Sequence, residues 1–349
     1  MSDDALATQE TMSNIACIPS NYSRLMARVL GLQVRELPRL LALTALTVEQ
    51  FMQEDLMLTA QQQIQILHNC LKMSDDEAFG LQLGNRLTPS THGAMLFLAN
   101  SSPNLLMALK GIQTYLPTRM NFSRLELVLE DEWLECRYYI DLEVDSDIRR
   151  CLCEASAIIF FQCAEVIIGR PLDEAISSFS HDEPHYSQRY TDSIPGAVSF
   201  GSAQVMVRIP MQLCQTPNVS ANHENYLLAL QQCDKVLAQL NSKKGSCEYQ
   251  IQKMMLSHPP GVLSEEEAAA ALFVSKRTLA RRLKAEGSGF RQIRDEILSQ
   301  QASGYLRDSI MSVEAIAALL NYHDSANFRR AFKRWFRLTP DQYRQRLNT

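Results

Sequence analysis

Two stretches of this chain carry the same design. LSEEEAAAALFVSKRTLARRLKAEG, starting at Leu263, and SVEAIAALLNYHDSANFRRAFKRWF, starting at Ser312, each read as a short apolar helix, a tight turn and a second helix crowded with cations. Few folds accommodate such a duplicated pattern, because each basic helix must bury one stripe and leave its charged face in water.

Advancing 100° per residue along the later segment puts Phe328, Ala331, Phe332, Trp335 and Phe336 on one face. Asn327, Arg330 and Arg334 share the opposite face, with Arg329 and Lys333 at its edge. The rings anchor the helix and the cations point outward. Upstream, Val313, Ile316, Ala317 and Leu320 repeat as a buried stripe, Asn321 through Asp324 make the turn, and Ser325 is the expected N-cap. Thr339, Pro340 and Gln342 open a closing helix. In the earlier segment Ser264 and Glu267 form a capping box, Phe273 and Val274 occupy the turn, and Ser275 caps the basic helix. Leu279 and Leu283 lie on its buried side, Arg277, Arg281 and Lys284 roughly opposite, and Gly287 ends it. IRDEILSQQASGYLRDS supplies a longer helix between the two units.

Helix, tight turn and basic helix make a helix-turn-helix, whose second helix lies in the major groove of DNA. One basic amphipathic helix is more often a solvated face; two at matching offsets fit successive major-groove segments about 34 Å apart on one side of the duplex. Arg binds guanine O6 and N7 bidentately and Asn suits adenine, so the exposed residue types are chemically apt. The charge distribution agrees. From Gly245 onward there are 16 Lys and Arg against 11 Asp and Glu, whereas residues 1–244 hold 18 against 28. The net charge of -5 thus hides one basic domain suited to a polyanion and one acidic domain that is not.

With 349 residues the chain suits about two domains. The polar stretch NSKKGSC marks the boundary, giving a flexible N-terminus over 1–15, a first domain over 16–240, a linker over 241–248 and a second domain over 249–349. In the first domain Thr47 with Gln50, Thr59 with Gln62 and Ser74 with Glu77 read as capping pairs, and Ser102 with Pro103 opens the helix LLMALKGIQTYL. RLELVLEDEWLECRYYI alternates on both sides of Glu130, Asp131 and Glu132, predicting an antiparallel hairpin. A helix from about Asp147 to Ile168 closes at Gly169, AVSFGSAQVMVRIP gives one further strand, and ENYLLALQQCDKVLAQL gives the last helix. The predicted architecture is an α+β N-terminal domain of helices and antiparallel strands, joined to an all-α C-terminal domain with two helix-turn-helix units.

No GxGxxG, P-loop, GxSxG or HExxH pattern is present, so the expectation is a protein without enzymatic activity, cofactor or metal. Nine cysteines at irregular spacing read as reduced thiols; Cys151, Cys153 and Cys163 read as buried small hydrophobes, and His181 and His185 as surface or turn residues in a loop. The polar, acidic start MSDDALATQETMSNI does not read as a signal peptide. SAIIFFQCAEVIIG, short and broken by Gln162 and Glu165, does not read as a membrane span, so a cytoplasmic location is expected.

The last hundred residues resemble the DNA-binding domain of AraC/XylS-type transcription regulators, with SKRTLARRLKAEG matching its first recognition helix and IAALLNYHDSANFRRAFKRWFRLTPDQYR its second unit and signature. The resemblance implies a cytosolic bacterial regulator that binds double-stranded promoter DNA, works with RNA polymerase and commonly activates. By position, Arg277 and Arg281 would read bases, helped by Lys276 and Thr278, while Ala326, Asn327, Arg329 and Arg330 would face DNA from the second unit. Lys284, Lys333 and Arg334 fit phosphate contacts, which position without specifying sequence. Asn321 stands where the family usually has Gly in the turn, and Arg337 where Gly usually follows the aromatic, which leaves the geometry of that helix end open.

More loosely, residues 20–240 are similar to the arabinose-binding-type effector domain of a long-chain subgroup, whose members answer to varied small molecules. That implies a homodimeric regulator controlled by a small-molecule effector, with effector and pocket residues unassigned. The alternatives are a dimeric regulator whose N-terminal domain only dimerises, and an enzyme using the cysteines fused to a DNA-binding module.

Overall fold

The computed structural model describes residues 15–244, 246–256 and 258–347. The expected flexible start and the signal-peptide reading fall outside the described residues, except Ile15, which is buried. Contacts divide the chain between Gln239 and Leu240. The expected linker is not extended: Asn241 to Lys244 complete one helix and Cys247 opens the next.

The first unit runs through α1 (Asn21–Val29), α2 (Ala60–Met73), α3 (Phe79–Arg86), α4 (Ala94–Ser101) and α5 (Leu105–Tyr115), with β1 (Ile18–Pro19) paired antiparallel to β2 (Met57–Leu58). There follow β3 (Ser123–Glu130), β4 (Trp133–Ile140), α6 (Ser146–Ile168), β5 (Ile176–Ser178), β6 (Ala197–Ser199), β7 (Val205–Pro210) and α7 (His223–Lys244). The Thr47–Gln50 and Thr59–Gln62 capping boxes form as expected. Ser74–Glu77 does not. The Ser74 hydroxyl accepts from Asp76 N at 3.1 Å, the Asp76 carboxylate accepts from Ala78 N at 2.9 Å, and this local turn delays α3 to Phe79. Likewise α5 is capped by Asn104, which accepts from Met107 N at 2.9 Å, while Ser102 donates back to Leu98 O and closes α4.

The predicted hairpin forms, turning at Asp131 with φ 53°. It belongs to a five-stranded sheet of order β3-β4-β7-β5-β6, antiparallel except for the β5–β6 pair. The segment expected to give one strand gives two, β6 and β7. Three-residue β5 was not foreseen, because it is too short to show alternation.

Helix α6 ends at Gly169 in the left-handed conformation, as anticipated. Its 23 residues, Ser146–Ile168, match the expected span, and length and composition alone would let it cross a membrane. Its burial has another cause. Ile148, Cys151, Leu152 and Ala155 enter a cluster with α1, α2 and α3, while Cys153, Ala157, Ile158, Phe161 and Ala164 enter a second cluster with α4, α5 and the sheet. A helix with a core on each side must be apolar nearly all round.

Gly80 and Gly84, one helical turn apart on α3, set how closely α3 approaches α6. A Cβ on Gly80 would lie 2.8 Å from Cys151 Cα, and one on Gly84 would lie 2.9 Å from Ile158 Cβ. Buried Glu154 accepts from the Tyr186 and Tyr190 hydroxyls at 2.8 and 2.5 Å, and burial raises its carboxyl pKa. His181 and His185 lie in a loop as expected, His185 exposed and His181 half-buried, with its ring 5.3 Å from Phe179 and 5.5 Å from Phe200.

The second unit contains α8 (Cys247–Leu256), α9 (Glu265–Ala271), α10 (Lys276–Ala285), α11 (Phe290–Asp308), α12 (Val313–Leu319), α13 (Ser325–Phe336) and α14 (Pro340–Leu347). Helices α9–α10 and α12–α13 are the two predicted helix-turn-helix pairs, with α11 between them. Both turns close alike: Phe273 and Asn321 take φ 55° and 58°, and the next residue donates its N–H five residues back, Val274 to Ala269 O and Tyr322 to Ala317 O. This left-handed closure satisfies carbonyls at the helix end. The second turn is one residue longer, running to the cap at Asp324. Arg337 also takes the left-handed conformation, with φ 59°, and closes α13 where the geometry had been left open. Holding a non-glycine residue there costs about 1–2 kcal/mol.

Gly80→Ala is therefore expected to destabilise the first unit by about 1–3 kcal/mol, through forced separation of α3 and α6. Gly304→Ala in α11, whose Cβ meets nothing within 4 Å, should instead stabilise by about 0.5–1 kcal/mol. Urea denaturation of both variants checks the opposite signs. Arg337→Gly should raise stability by about 1 kcal/mol by relieving the left-handed residue; an unchanged midpoint would show that the Arg337 side chain compensates.

Candidate nucleic-acid interface and ligand cavity

Ser275 accepts from Thr278 N at 3.1 Å and starts α10. Leu279 and Leu283, fully buried, pin α10 among Ile251 and Met255 of α8, Ala268 of α9 and Ile293 and Ile297 of α11. That fixes its rotation and leaves Arg277, Arg281 and Lys284 exposed. No hydrogen bond or ion pair within the described residues holds these three. Thr278 is half-buried, with its hydroxyl 2.9 Å from the Ser275 hydroxyl. Lys276 leans back to Glu266, with Glu265 at 3.5 Å.

Helix α13 is held by an aromatic core. Phe328 and Phe332 are fully buried, and Phe332 meets Phe336 at 4.7 Å and Tyr343 of α14 at 5.2 Å. The cap lies one residue before the expected one: the Asp324 carboxylate, not the Ser325 hydroxyl, accepts from Asn327 N, at 2.6 Å. A carboxylate answers both the unpaired N–H groups and the positive end of the helix dipole, and its bonding holds the Asp324 carboxyl pKa below the usual range.

Asn327 is half-buried and gripped at both ends, donating to Asp324 at 2.9 Å and accepting from Arg330 at 2.6 Å. The resulting chain aims an exposed arginine. Ala326 and Lys333 are exposed, and Lys333 has no partner among the described residues. Arg334 is exposed but pairs with Asp295 of α11 at 2.8 Å. Arg329 is half-buried and joins Asp341 of α14 to Glu314 of α12, the latter at 3.4 Å. Its bonds brace the second unit, so of the expected DNA-facing residues it is the one most occupied by its own protein.

The first unit contains a cavity with an open mouth. Leu125, Tyr138 and Val207 of the sheet face Ala157 and Phe160 of α6 across it, with Leu116 on a further side. The polar groups reaching it come from separate segments. Tyr22 meets His92 Nδ1 at 2.8 Å, Arg119 and Ser156 contribute side chains, and Tyr138 donates to Ser123 at 2.9 Å. Burial, and then the Arg119 charge, lower the His92 pKa to about 4, so the ring is neutral at pH 7. None of these residues was singled out from sequence, because no spacing links them.

The cysteines are not arranged for catalysis. Burial pushes the Cys153 and Cys163 thiols up to about 12, which keeps them protonated near neutrality. Among the described residues no three His, Cys, Asp or Glu side chains gather as metal ligands.

Two helix-turn-helix pairs in one unit and an α+β unit with an internal cavity define the architecture of a DNA-binding transcription regulator. Residues 35–218 match the family described as the arabinose-binding domain of AraC transcription regulator, N-terminal, and residues 268–346 match a helix-turn-helix domain family. The chain belongs to the AraC-type family of transcription regulators, in the group with an arabinose-binding-type N-terminal domain. It is 28% identical over 281 residues to the ornithine utilization regulator of Pseudomonas aeruginosa, covering 80% of this chain and 82% of that protein. It is 24% identical over 295 residues to the regulator VirS of Mycobacterium tuberculosis, covering 84% and 86%. The crystal structure of the regulator CdpR from Pseudomonas aeruginosa aligns over 80% of this chain and 90% of its own at 20% identity and a TM-score of 0.43, a level that assigns no residue a role. The matched families and relatives are transcription regulators, not enzymes.

Proposed function

We propose that the protein is a cytoplasmic, homodimeric regulator whose engagement of promoter DNA is set by a small-molecule effector bound in the first unit, and that it acts on RNA polymerase as an activator. The observation that carries effector control is the cavity itself: mostly apolar, with a few polar groups converging from separate elements, the lining pattern of small-molecule sites. A domain serving only to dimerise has no need of such a space. The relative's name, ornithine utilization regulator, makes polar amino acids a natural part of any effector screen.

On DNA, Arg277, Arg281 and Arg330 are the base-reading candidates, because they are exposed and their guanidinium groups match guanine edges. Asn327 positions Arg330, and Thr278 and Ala326 lie beside them on the same helices. Lys284, Lys333 and Arg334 fit phosphates. Lys276 and Arg329 would first have to leave their carboxylate partners, which suits a contact formed only when DNA displaces them.

Genome-wide mapping of bound sites supplies an operator for measurement. On it, Arg281→Ala and Arg330→Ala should each lose about 1–3 kcal/mol of binding and relax base preference. Lys333→Ala should weaken operator and random duplex alike, and anisotropy titrations that find equal losses for all three variants on both duplexes would refute this division of roles. Effector control is tested by a thermal-shift metabolite screen with the full chain, followed by operator titration with each binder. Binders that leave operator affinity and promoter output unchanged would return the first unit to a purely dimerising role.

A further inference from the structure

The polar end of the cavity is chemically one-sided. Arg119 is half-buried and lines the cavity, yet among the described residues no hydrogen bond or ion pair holds its guanidinium. The group is seated over backbone: a Cβ on Gly93, which has φ 57°, would lie 2.3 Å from Arg119 Nη2. Beside Gly93 is His92, 4% exposed, whose Nε2 is buried without a partner. The Tyr22 hydroxyl is buried and finds one acceptor among the described residues, His92 Nδ1 at 2.8 Å. Satisfying that hydroxyl puts the imidazole proton on Nε2. The site therefore presents two unsatisfied donors, one cationic, and no Asp or Glu lines the cavity. An unpaired buried donor is costly, and more so when charged, so the arrangement favours an acceptor that carries negative charge.

The rest of the wall is mostly hydrocarbon, including Met95, Leu96, Ile112, Leu125, Phe160 and Val205, and its other polar groups, the Tyr138 and Ser156 hydroxyls and cysteine thiols, carry no charge. A zwitterion or a dianion would leave its second charge in this wall without a charged partner. We infer that the effector is an apolar monocarboxylate, its head group held by the Arg119 guanidinium and the His92 Nε2–H and its hydrocarbon body against α6 and the inner face of the sheet. The inference rests on the effector reading above and narrows it to one ligand class.

Isothermal titration of the full chain with octanoate, 1-octanol, octylamine and octanedioate tests it, with 4-phenylbutanoate and its alcohol as a second head-group pair. Each carboxylate should bind at least about tenfold tighter than its alcohol, the gain of a charge-assisted hydrogen bond. The amine and the dicarboxylate should be weaker than octanoate, and hexanoate to octanoate should gain about fourfold per methylene. Arg119→Gln should bring octanoate down to the level of octanol without moving octanol, and Arg119→Lys should retain part of the preference. The wild-type head-group comparison stands even if a variant fails to fold. Alcohols binding as tightly as acids, or octanoate affinity unchanged in Arg119→Gln, would overturn the anion assignment while leaving the cavity an effector site for neutral molecules. Absence of binding by every probe would also overturn it. The underlying effector reading is judged separately by Ala157→Phe, which fills the cavity: regulation of a mapped promoter that continues unchanged in that variant removes the effector reading as well.

Discussion

The first unit depends on the burial of α6 on two sides at once. Its residues Cys151 and Ala155 close one apolar cluster and Cys153, Ala157 and Phe161 close another, so neither cluster is complete without it. Gly80 and Gly84 set the distance on one side, and the sheet supports the other. The inner face of the sheet does not reach α6 everywhere. Between Leu125, Tyr138 and Val207 of the sheet and Ala157 and Phe160 of α6, all of which line it, the cavity remains. Packing and cavity are thus two consequences of the same helix.

The second unit solves a different problem, which is to hold two highly charged helices with small cores. Helix α10 uses two leucines against three neighbouring helices, and α13 uses edge-to-face rings completed by Tyr343. Each pairing is closed by a left-handed residue that redirects the chain while keeping carbonyls satisfied. Carboxylates then sort the cations. Glu266, Asp295 and Asp341 occupy Lys276, Arg334 and Arg329, while Arg277, Arg281, Lys284 and Lys333 are left to solvent. Exposed ion pairs of this kind contribute little to stability and are screened by salt, so a polyphosphate backbone competes for them readily.

The helix-turn-helix pairs were legible because their logic is local. Apolar residues three and four apart, a capping oxygen and a left-handed turn all act within about a dozen residues. Where local rules competed, the boundaries moved. Asp324 displaced Ser325 as the cap because a carboxylate also answers the helix dipole. Asn104 displaced Ser102, and Asp76 broke the expected Ser74–Glu77 box. The close approach of α3 to α6 had a visible signal in two glycines one turn apart, GLQLG, although nothing local says which helix they meet.

What the sequence by itself determined is the class of the protein: a duplicated basic helix-turn-helix, the side of each helix that faces water, and an α+β partner domain. What only tertiary structure decided is the five-strand order, the double burial that makes α6 a core helix, and the meeting of Tyr22, His92 and Arg119 at one end of a cavity. Periodicity and capping are short-range and leave a record in spacing. Contacts between segments 70 residues apart, such as Tyr22 with His92, come from chain topology and leave none.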